Sequence, residues 1–313
     1  VGQLSHHGHA AAKHVLTPTR SGFVALAGRP NVGKSTLANA IVGAKVAIVS
    51  DKPQTTRRAI RGVANGPDWQ LVLVDLPGVQ RPRDALTERM QSRVEHELSD
   101  ADGCLLVVNA EQGVGPGDRF IAELLRGAKV PISVAVNKVD RASRAKVTET
   151  LQAVDALGLA DEIFPVSART GTGMGVLTEY LVSMLPVGPR YFDLTQHSDQ
   201  SPSVLLAELV REQVLARTRE EVPHAVEVEV LEIAGRGGSG SELVRIEAVV
   251  LTETESQKGI LIGSGGRMIK SIGVAARRTI ERELGTKVHL DLSVRVRRNW
   301  RADERVLDRL GIE

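Results

Sequence analysis

Gly28, Gly33, Lys34 and Ser35 fall at the spacing G-x-x-x-x-G-K-S, directly after the apolar run "FVALA" and directly before "TLANAIVG". Residues of these types at this spacing suit one chemistry. Glycines let consecutive backbone N–H groups converge on an anion, a lysine meets the charge of terminal phosphates, and a serine hydroxyl can ligate Mg²⁺. The helix that must follow adds positive potential at its N-terminus. The expected phosphate cradle therefore runs from Gly28 through Asn31, Val32, Gly33, Lys34 and Ser35 to Thr36.

Three further stretches extend this site. Asn137-Lys138-Val139-Asp140 follows the apolar run "ISVAV" and presents the Asp140 carboxylate to a base. Guanine has an N1–H and an exocyclic amine that can both donate to it; adenine has no such pair, so a site built on these bonds rejects it strongly. The Lys138 stem can lie across the base, and Ser167-Ala168-Arg169 can turn a backbone N–H toward the guanine oxygen. Asp75-Leu76-Pro77-Gly78 fits D-x-P-G, with Asp75 expected as an outer-sphere partner of Mg²⁺ and the Gly78 N–H placed to meet a γ-phosphate. Between these motifs, "PQTTRRAIRG" offers a threonine to close over the metal: Thr56 is the first choice, Thr55 the second. The expected ligands are GTP or GDP and Mg²⁺, with Ser35, Thr56 and Asp75 around the metal. Lys34, Asn31, Thr56 and Gly78 lie nearest the reacting phosphate.

What must position these residues is legible in the hydrophobic pattern. From Phe23 to Leu185, short β-branched runs ("FVALAG", "WQLVLVDLPG", "GCLLVVNA", "PISVAVNKVD", "EIFPVSA") alternate with amphipathic stretches such as "DRFIAELLRG" and "AKVTETLQAVDALG". That alternation predicts an α/β P-loop domain: a mostly parallel sheet with helices on both faces and ligands at the C-terminal ends of its strands. Residues 186–202, rich in proline and without sustained period, read as a linker between a first domain at 21–185 and a second at 203–313. Residues 1–20 read as a polar leader or vector-derived remnant outside the fold.

The second domain carries another glycine loop, Gly263-Ser264-Gly265-Gly266. No lysine-serine pair follows it and no acidic metal partner is near in sequence. Its element order, αββααβ, differs from the βαβ order a phosphate loop requires. It fits instead the G-x-x-G turn of a smaller α+β KH domain, where a nucleic-acid backbone approaches glycine closely. After the loop, Ile269, Ile272, Ala276 and Ile280 form an apolar stripe, with Arg267, Lys270 and Arg277 on another side. In the last strand Val288, Leu290, Leu292, Val294 and Val296 alternate inward, leaving Arg295 and Arg297 outward. These nine residues, Gly263 to Arg267, Lys270, Arg277, Arg295 and Arg297, are the expected RNA contacts. Aromatic residues make up only 3% of the chain, so base stacking on aromatic platforms is not expected to dominate any nucleic-acid contact. The net charge is only +2, but Lys and Arg outnumber Asp and Glu from Lys258 onward.

Residues 21–185 resemble translation-factor-type GTPases. With "YFD", "LAELVREQVL", "EVPHAVEVEV", "KGILIGSGGRMIKSIGVAAR" and the terminal "VRVRRNW", residues 21–313 resemble the Era family, bacterial GTPases with a C-terminal type II KH domain. The resemblance implies GTP hydrolysis, binding of small-subunit (16S) ribosomal RNA near its 3′ end, and a role in 30S assembly. Two departures matter. Small signalling GTPases have a water-orienting glutamine where this chain has Val79, so slow intrinsic hydrolysis is expected; relatives with an apolar residue there suggest K⁺ held by Asn31. Era proteins commonly have a basic residue at the position of Ser264, and Arg267 is the expected substitute. A rival reading makes the chain a GTPase regulating a protein or membrane-surface partner, with the second domain as an interaction module. A single cysteine, Cys104, and no apolar stretch of bilayer-spanning length lead to the expectation of a cytoplasmic monomer, with peripheral association at the inner face of the membrane suggested by the resemblance.

Overall fold

The computed structural model describes residues 19–52, 54–79, 84–235 and 243–312. The leader up to residue 18 and most of the glycine-rich "GRGGSGS" stretch lie outside the described residues. Arg20, set aside with the leader, already opens the first strand.

Eleven elements form the first half: β1 (Arg20–Ala27), α1 (Lys34–Val42), β2 (Ile60–Asn65), β3 (Trp69–Asp75), α2 (Ala85–Asp100), β4 (Gly103–Asn109), α3 (Pro116–Arg126), β5 (Ile132–Asn137), α4 (Arg144–Asp155), β6 (Glu162–Pro165) and α5 (Met174–Met184). Their sheet has the order β2-β3-β1-β4-β5-β6, parallel throughout except for the antiparallel pair β2–β3. Every residue of β4 and β5 is buried, as expected for strands covered on both faces. Helices α2, α3 and α4 cover one face, α1 and α5 the other. The sheet order changes direction at β1, whose C-terminal end delivers the phosphate loop. Cys104 lies in β4, where burial pushes its thiol up to about 12 and leaves it inert.

Strand β2 is not legible in the sequence pattern, because "IRGVAN" neither alternates nor forms an apolar run. A Cβ at Gly62 would stand 3.0 Å from methyls of both Val42 and Val46, so glycine lets the strand pass close beneath α1. The linker then covers this edge strand: Val63 N–H donates to the His197 carbonyl at 2.8 Å, and Gln70 of β3 accepts from the N–H groups of Tyr191 and Phe192 at 2.7 and 2.9 Å.

The second half comprises α6 (Pro202–Arg217), α7 (Val222–Ala225), β7 (Glu227–Ala234), β8 (Val244–Thr252), α8 (Glu255–Ile262), α9 (Arg267–Leu284), β9 (Val288–Val296) and α10 (Glu304–Arg309). Its sheet has the order β7-β8-β9, with β8–β9 parallel, and α6 and α9 pack on it through Leu209, Val210, Ile272, Ala276 and Ile280. With the short α7 and the terminal α10 set aside, this is the αββααβ order of a type II KH unit.

The halves share apolar cores. Ile48, from the segment between α1 and β2, belongs to the core of the second half. Leu86 and Met90 of α2 pack with Val249, Leu251, Trp300 and Val306.

Candidate functional site

The turn from β1 into α1 is strained in the way an anion cradle requires. Asn31 and Gly33 both have left-handed backbones, with φ of 64° and 103°. A Cβ at Gly33 would lie 2.4 Å from Asn137 Nδ2, so only glycine fits there. Gly33 caps α1 without a side-chain bond, no acidic residue occupies the first turn, and residues Gly33 to Thr36 line the cleft. Lys34 is buried, and Nζ donates to the carbonyls of Gly28 and Arg29 at 3.0 and 3.2 Å. Burial pulls its pKa down to about 8 against the opposing pull of Asp75.

Beside it, three oxygen-bearing side chains converge from distant parts of the chain. Ser35 Oγ donates to Asp75 Oδ2 at 2.6 Å and lies 3.2 Å from Thr56 Oγ1, which in turn donates to Asp75 Oδ2 at 3.4 Å. Thr55 points elsewhere: its hydroxyl donates to the Lys52 carbonyl at 2.6 Å. Asp75 is fully buried, its Oδ1 has no hydrogen-bond partner among the described residues, and burial raises its pKa against Lys34, Ser35 and Thr56. A buried carboxylate with a spare oxygen and two adjacent hydroxyls is the donor set of a hard cation, and Mg²⁺ fits it. Gly78 closes over the loop: a Cβ there would stand 2.8 Å from Pro30 Cγ.

On the base side, Asn137 ties three loops together. Its Nδ2 donates to the Val32 carbonyl at 3.1 Å, and its Oδ1 accepts from Lys138 N–H at 2.8 Å and Ala168 N–H at 3.1 Å. Lys138 Nζ reaches the Asn31 carbonyl at 2.6 Å, which lays its stem along the cleft. Ser167 is fully buried and donates to Asp140 Oδ1 at 2.6 Å, so it orients the exposed carboxylate from behind.

The cleft, of about 370 Å³, is lined by Asn31, Gly33, Lys34, Ser35, Thr36, Thr56 and Gly78 on the phosphate side and by Asn137, Lys138, Asp140, Ala168 and Arg169 on the base side. Gly28, Val32, Asp75 and Ser167 stand behind this lining. Sequence reasoning missed one wall: Ile48, Val49, Ser50, Asp51 and Gln54 also line it, with Arg141. That segment carries no motif. Asn31 Nδ2 donates to the Asp51 carbonyl at 2.6 Å, which joins the wall to the loop. Val79 is buried in the core beneath the D-x-P-G turn and forms no part of the cleft.

The second glycine loop is a separate surface. Gly263 is needed for packing, since a Cβ would lie 2.8 Å from that of Met268, whereas Gly265 and Gly266, both at positive φ, face open space. Arg267 Nε donates to the Ser264 carbonyl at 3.1 Å and so folds back over the loop. Arg267 and Lys270 share a shallow cavity with Arg217, Ser271, Val274, Ala275 and Arg278. Arg277 is exposed but does not line that cavity; Arg278, at the i, i+4, i+7, i+11 positions with Arg267, Ser271 and Val274, does. On β9, Arg295 is exposed; Arg297, expected in the same strand, lies one residue past its end and is paired with Asp303 at 2.8 Å.

Comparisons with known proteins match both halves. A family model described as 50S ribosome-binding GTPase fits residues 23–138, and a KH domain model fits residues 221–301. GTPase Era of Mycobacterium tuberculosis is 46% identical over 300 residues, covering 95% of this chain and all of that protein. GTPase Era of Mycolicibacterium smegmatis is 44% identical over 299 residues, with the same coverage. Among solved structures, Era in complex with MgGDPNP and nucleotides 1506–1542 of 16S ribosomal RNA superposes with a TM-score of 0.87 at 33% identity, covering 94% of this chain and 99% of that one. An Aquifex aeolicus Era variant bound to GDP·AlF₄⁻ gives the same TM-score at 32% identity, over the same shares. Among the described residues, no helix is long and apolar enough to cross a membrane.

Proposed function

The chain belongs to the Era family of GTPases, and from that premise we propose that it is a GTP-hydrolysing switch whose second half binds the 3′ region of 16S ribosomal RNA during 30S assembly. One observation carries the reading. Thr56, which meets Ser35 and Asp75, is followed directly by Arg57 and Arg58, and both of these are buried against the second half. A change at the terminal phosphate therefore bears on the part that carries the G-x-x-G loop.

Residues 21–185 and 203–313 are the proposed working units. Lys34 and the N–H groups from Gly33 to Thr36 hold the phosphates, Asp140 selects guanine, and Ser167 and Asn137 keep the base loops in place. Ser35, Thr56 and Asp75 hold Mg²⁺, which supplies charge neutralisation on the terminal phosphates. Val79 has no group to orient water, so intrinsic turnover is slow. Asn31, whose Nδ2 is engaged by Asp51, keeps its Oδ1 for a K⁺ ion; an Asn31→Ala variant with unchanged potassium response removes that assignment. On the RNA side, Gly263–Arg267, Lys270 and Arg295 meet the backbone, with Arg277 and Arg297 at the margin.

The test is binding of a labelled RNA matching the 3′ region of 16S ribosomal RNA, with protein loaded with a non-hydrolysable GTP analogue or with GDP. Tighter binding in the triphosphate state, abolished by Gly265→Asp, is expected. A Cβ at this position meets no protein atom within 4 Å, so the added charge faces an approaching phosphate; because the backbone there is left-handed, with φ of 59°, the variant's fold is checked by its unfolding curve before its RNA binding is read. Equal binding by Gly265→Asp and the parent would overturn the RNA assignment.

A further inference from the structure

The buried charge network between the halves is centred on one arginine that no nucleotide motif contains. Arg211, on α6 of the second half, is fully buried. Its Nη1 donates to the Thr55 carbonyl at 2.6 Å and its Nη2 to the Gln54 carbonyl at 2.9 Å. Glu208 Oε2 pairs with Arg211 Nη1 at 3.1 Å, and Glu227 Oε1 lies 3.8 Å from its Nε. The guanidinium thus grips two consecutive carbonyls with one planar fork while two carboxylates hold it in place.

Those two carbonyls belong to the turn that delivers Thr56. The Thr55 carbonyl and the Thr56 N and Cα lie in one rigid peptide plane, so fixing the first fixes the position from which the Thr56 side chain departs. Gln54 has a left-handed backbone with φ of 58°, a conformation that a non-glycine residue keeps only where its surroundings impose it. Arg211 bonds the carbonyl of this residue. The same turn is held on both sides by further bonds to the second half. Upstream, Glu212 accepts from Lys45 Nζ and from Val49 N–H at 2.6 and 3.1 Å. Downstream, Arg57 donates to the Val226 and His224 carbonyls, and Arg58 to the Leu310 carbonyl.

We propose that Arg211 is a positioning residue for GTP hydrolysis: from the RNA-binding half, it holds the Gln54–Thr55 turn so that Thr56 Oγ1 stays at the Ser35–Asp75 metal site. The nucleotide site is then completed by the second half, and its competence depends on where α6 sits. The proposal rests on Thr56 being the residue that closes over Mg²⁺.

The experiment compares Arg211→Ala, Arg211→Lys, Thr56→Ala and the double variant Arg211→Ala/Thr56→Ala in the full chain. It reads GTP turnover against Mg²⁺ concentration and, separately, GDP binding without Mg²⁺. Misplacing a metal-facing hydroxyl by about an ångström is expected to cost roughly tenfold or more in turnover, with a higher Mg²⁺ midpoint. Arg211→Ala and Thr56→Ala should both show this, with GDP binding within about twofold of the parent. The double variant should be no worse than Thr56→Ala alone, since both changes act through one hydroxyl. Arg211→Lys keeps the charge beside Glu208 and Glu227 but offers one ammonium to two carbonyls, so it falls between; it serves if the alanine variant does not fold. If Thr56→Ala leaves the Mg²⁺ midpoint unchanged, the reading of Thr56 fails, and the proposal with it. If Thr56→Ala shifts the midpoint while folded Arg211→Ala and Arg211→Lys do not, or if the double variant is additive, Arg211 is only structural and the proposal alone is overturned.

Discussion

Replacing Glu227 by glutamine removes one negative charge from the network between the halves while keeping its volume. Glu227 is fully buried; Arg57 Nη1 lies 2.9 Å from its Oε2, and Arg58 Nη2 lies 3.5 Å from its Oε1. Burial alone would raise its carboxyl, but Arg58, Arg211 and Arg57 together hold it down at about 2, against an ordinary 4.5. That drop converts to about 3 kcal/mol of stability at neutral pH. The arginines give an independent figure. With Glu227 neutral, Arg57, Arg58 and Arg211 face only Glu208, and breaking a buried pair in this way costs about 3–5 kcal/mol. The lower figure is the better expectation, because the backbone carbonyls of Val226, His224 and Leu310 still accept from Arg57 and Arg58. The sign is fixed by the direction of the shift. A carboxyl held below its unfolded value stabilises fully above about pH 4.5, and that contribution is lost as the pH falls toward about 2. Trp300 gives the readout: it is buried, its indole N–H donates to the Ala225 carbonyl, and its ring lies 5.5 Å from the Arg57 guanidinium. In a Trp69→Phe background, urea unfolding followed at Trp300 should show Glu227→Gln less stable by about 3 kcal/mol near pH 7. The gap should narrow steadily as the pH is lowered from about 4.5 toward about 3. A gap under about 0.5 kcal/mol near neutral pH, or one that persists undiminished in acid, would refute the reasoning.

Asp140→Asn replaces the acceptor that Ser167 orients, so preference should move from guanine toward xanthine nucleotides; retained GTP preference in competition binding removes the base-recognition argument. Lys34→Ala should abolish tight triphosphate binding, and normal turnover by this variant would count against the first glycine loop. Val79→Gln should not create a water-orienting residue, because Val79 is only 5% exposed and packs in the core; a loss of about 1–3 kcal/mol in unfolding without faster hydrolysis is expected, and faster turnover would contradict it. Arg295→Ala should lower the salt slope of RNA binding by about 0.7–0.9 for each phosphate that the arginine neutralises. Arg297→Ala should lower it less, since Arg297 is already paired with Asp303, and equal changes would show that the pairing does not matter.

The residues that were legible in the sequence act within a few positions of a strand end. Gly28 to Thr36, Asp75 to Gly78 and Asn137 to Asp140 all sit where an apolar run stops, and their spacing states their chemistry. The network between the halves gives no such signal. "TTRR" reads as a polar loop, yet Arg57 and Arg58 are 2% and 9% exposed because their acceptors lie far along the chain, Glu208 being 150 residues from Arg58. Likewise Glu208 and Arg211 are buried on α6, where hydrophobic periodicity assigns charged residues to solvent. The basic surface on α9 shows the limit on the other side: the periodicity gives the helix and its apolar stripe, but the contribution of Arg217 depends on how α6 lies against α9.

The two segments proposed to face the terminal phosphate are docked on the second half by different chemistry. The segment before β2 is held by buried ions: Arg57 and Arg58 with Glu208, Arg211 and Glu227. Helix α2, which follows the D-x-P-G turn, is held mainly by apolar packing of Leu86 and Met90 against Val249, Leu251 and Trp300, with Arg89 bonded to Asp308 and the Ile312 carbonyl at its margin. Close-packed cores and satisfied buried ion networks do not deform gradually; they hold or they re-form elsewhere. A shift of Thr56 or Gly78 on loss of the γ-phosphate must therefore either break one of these dockings or carry the second half with it. Linkage makes the effect reciprocal, so an RNA that prefers one seating of α6 and α10 changes nucleotide affinity by the same factor that nucleotide changes RNA affinity. The ion-held docking carries the desolvation cost of five charged side chains and is the more expensive to break halfway. The apolar docking leaves no unpaired buried charge when it lets go. Helix α2 is accordingly the element expected to slide first, while the Arg211 turn stays intact until Thr56 itself lets go.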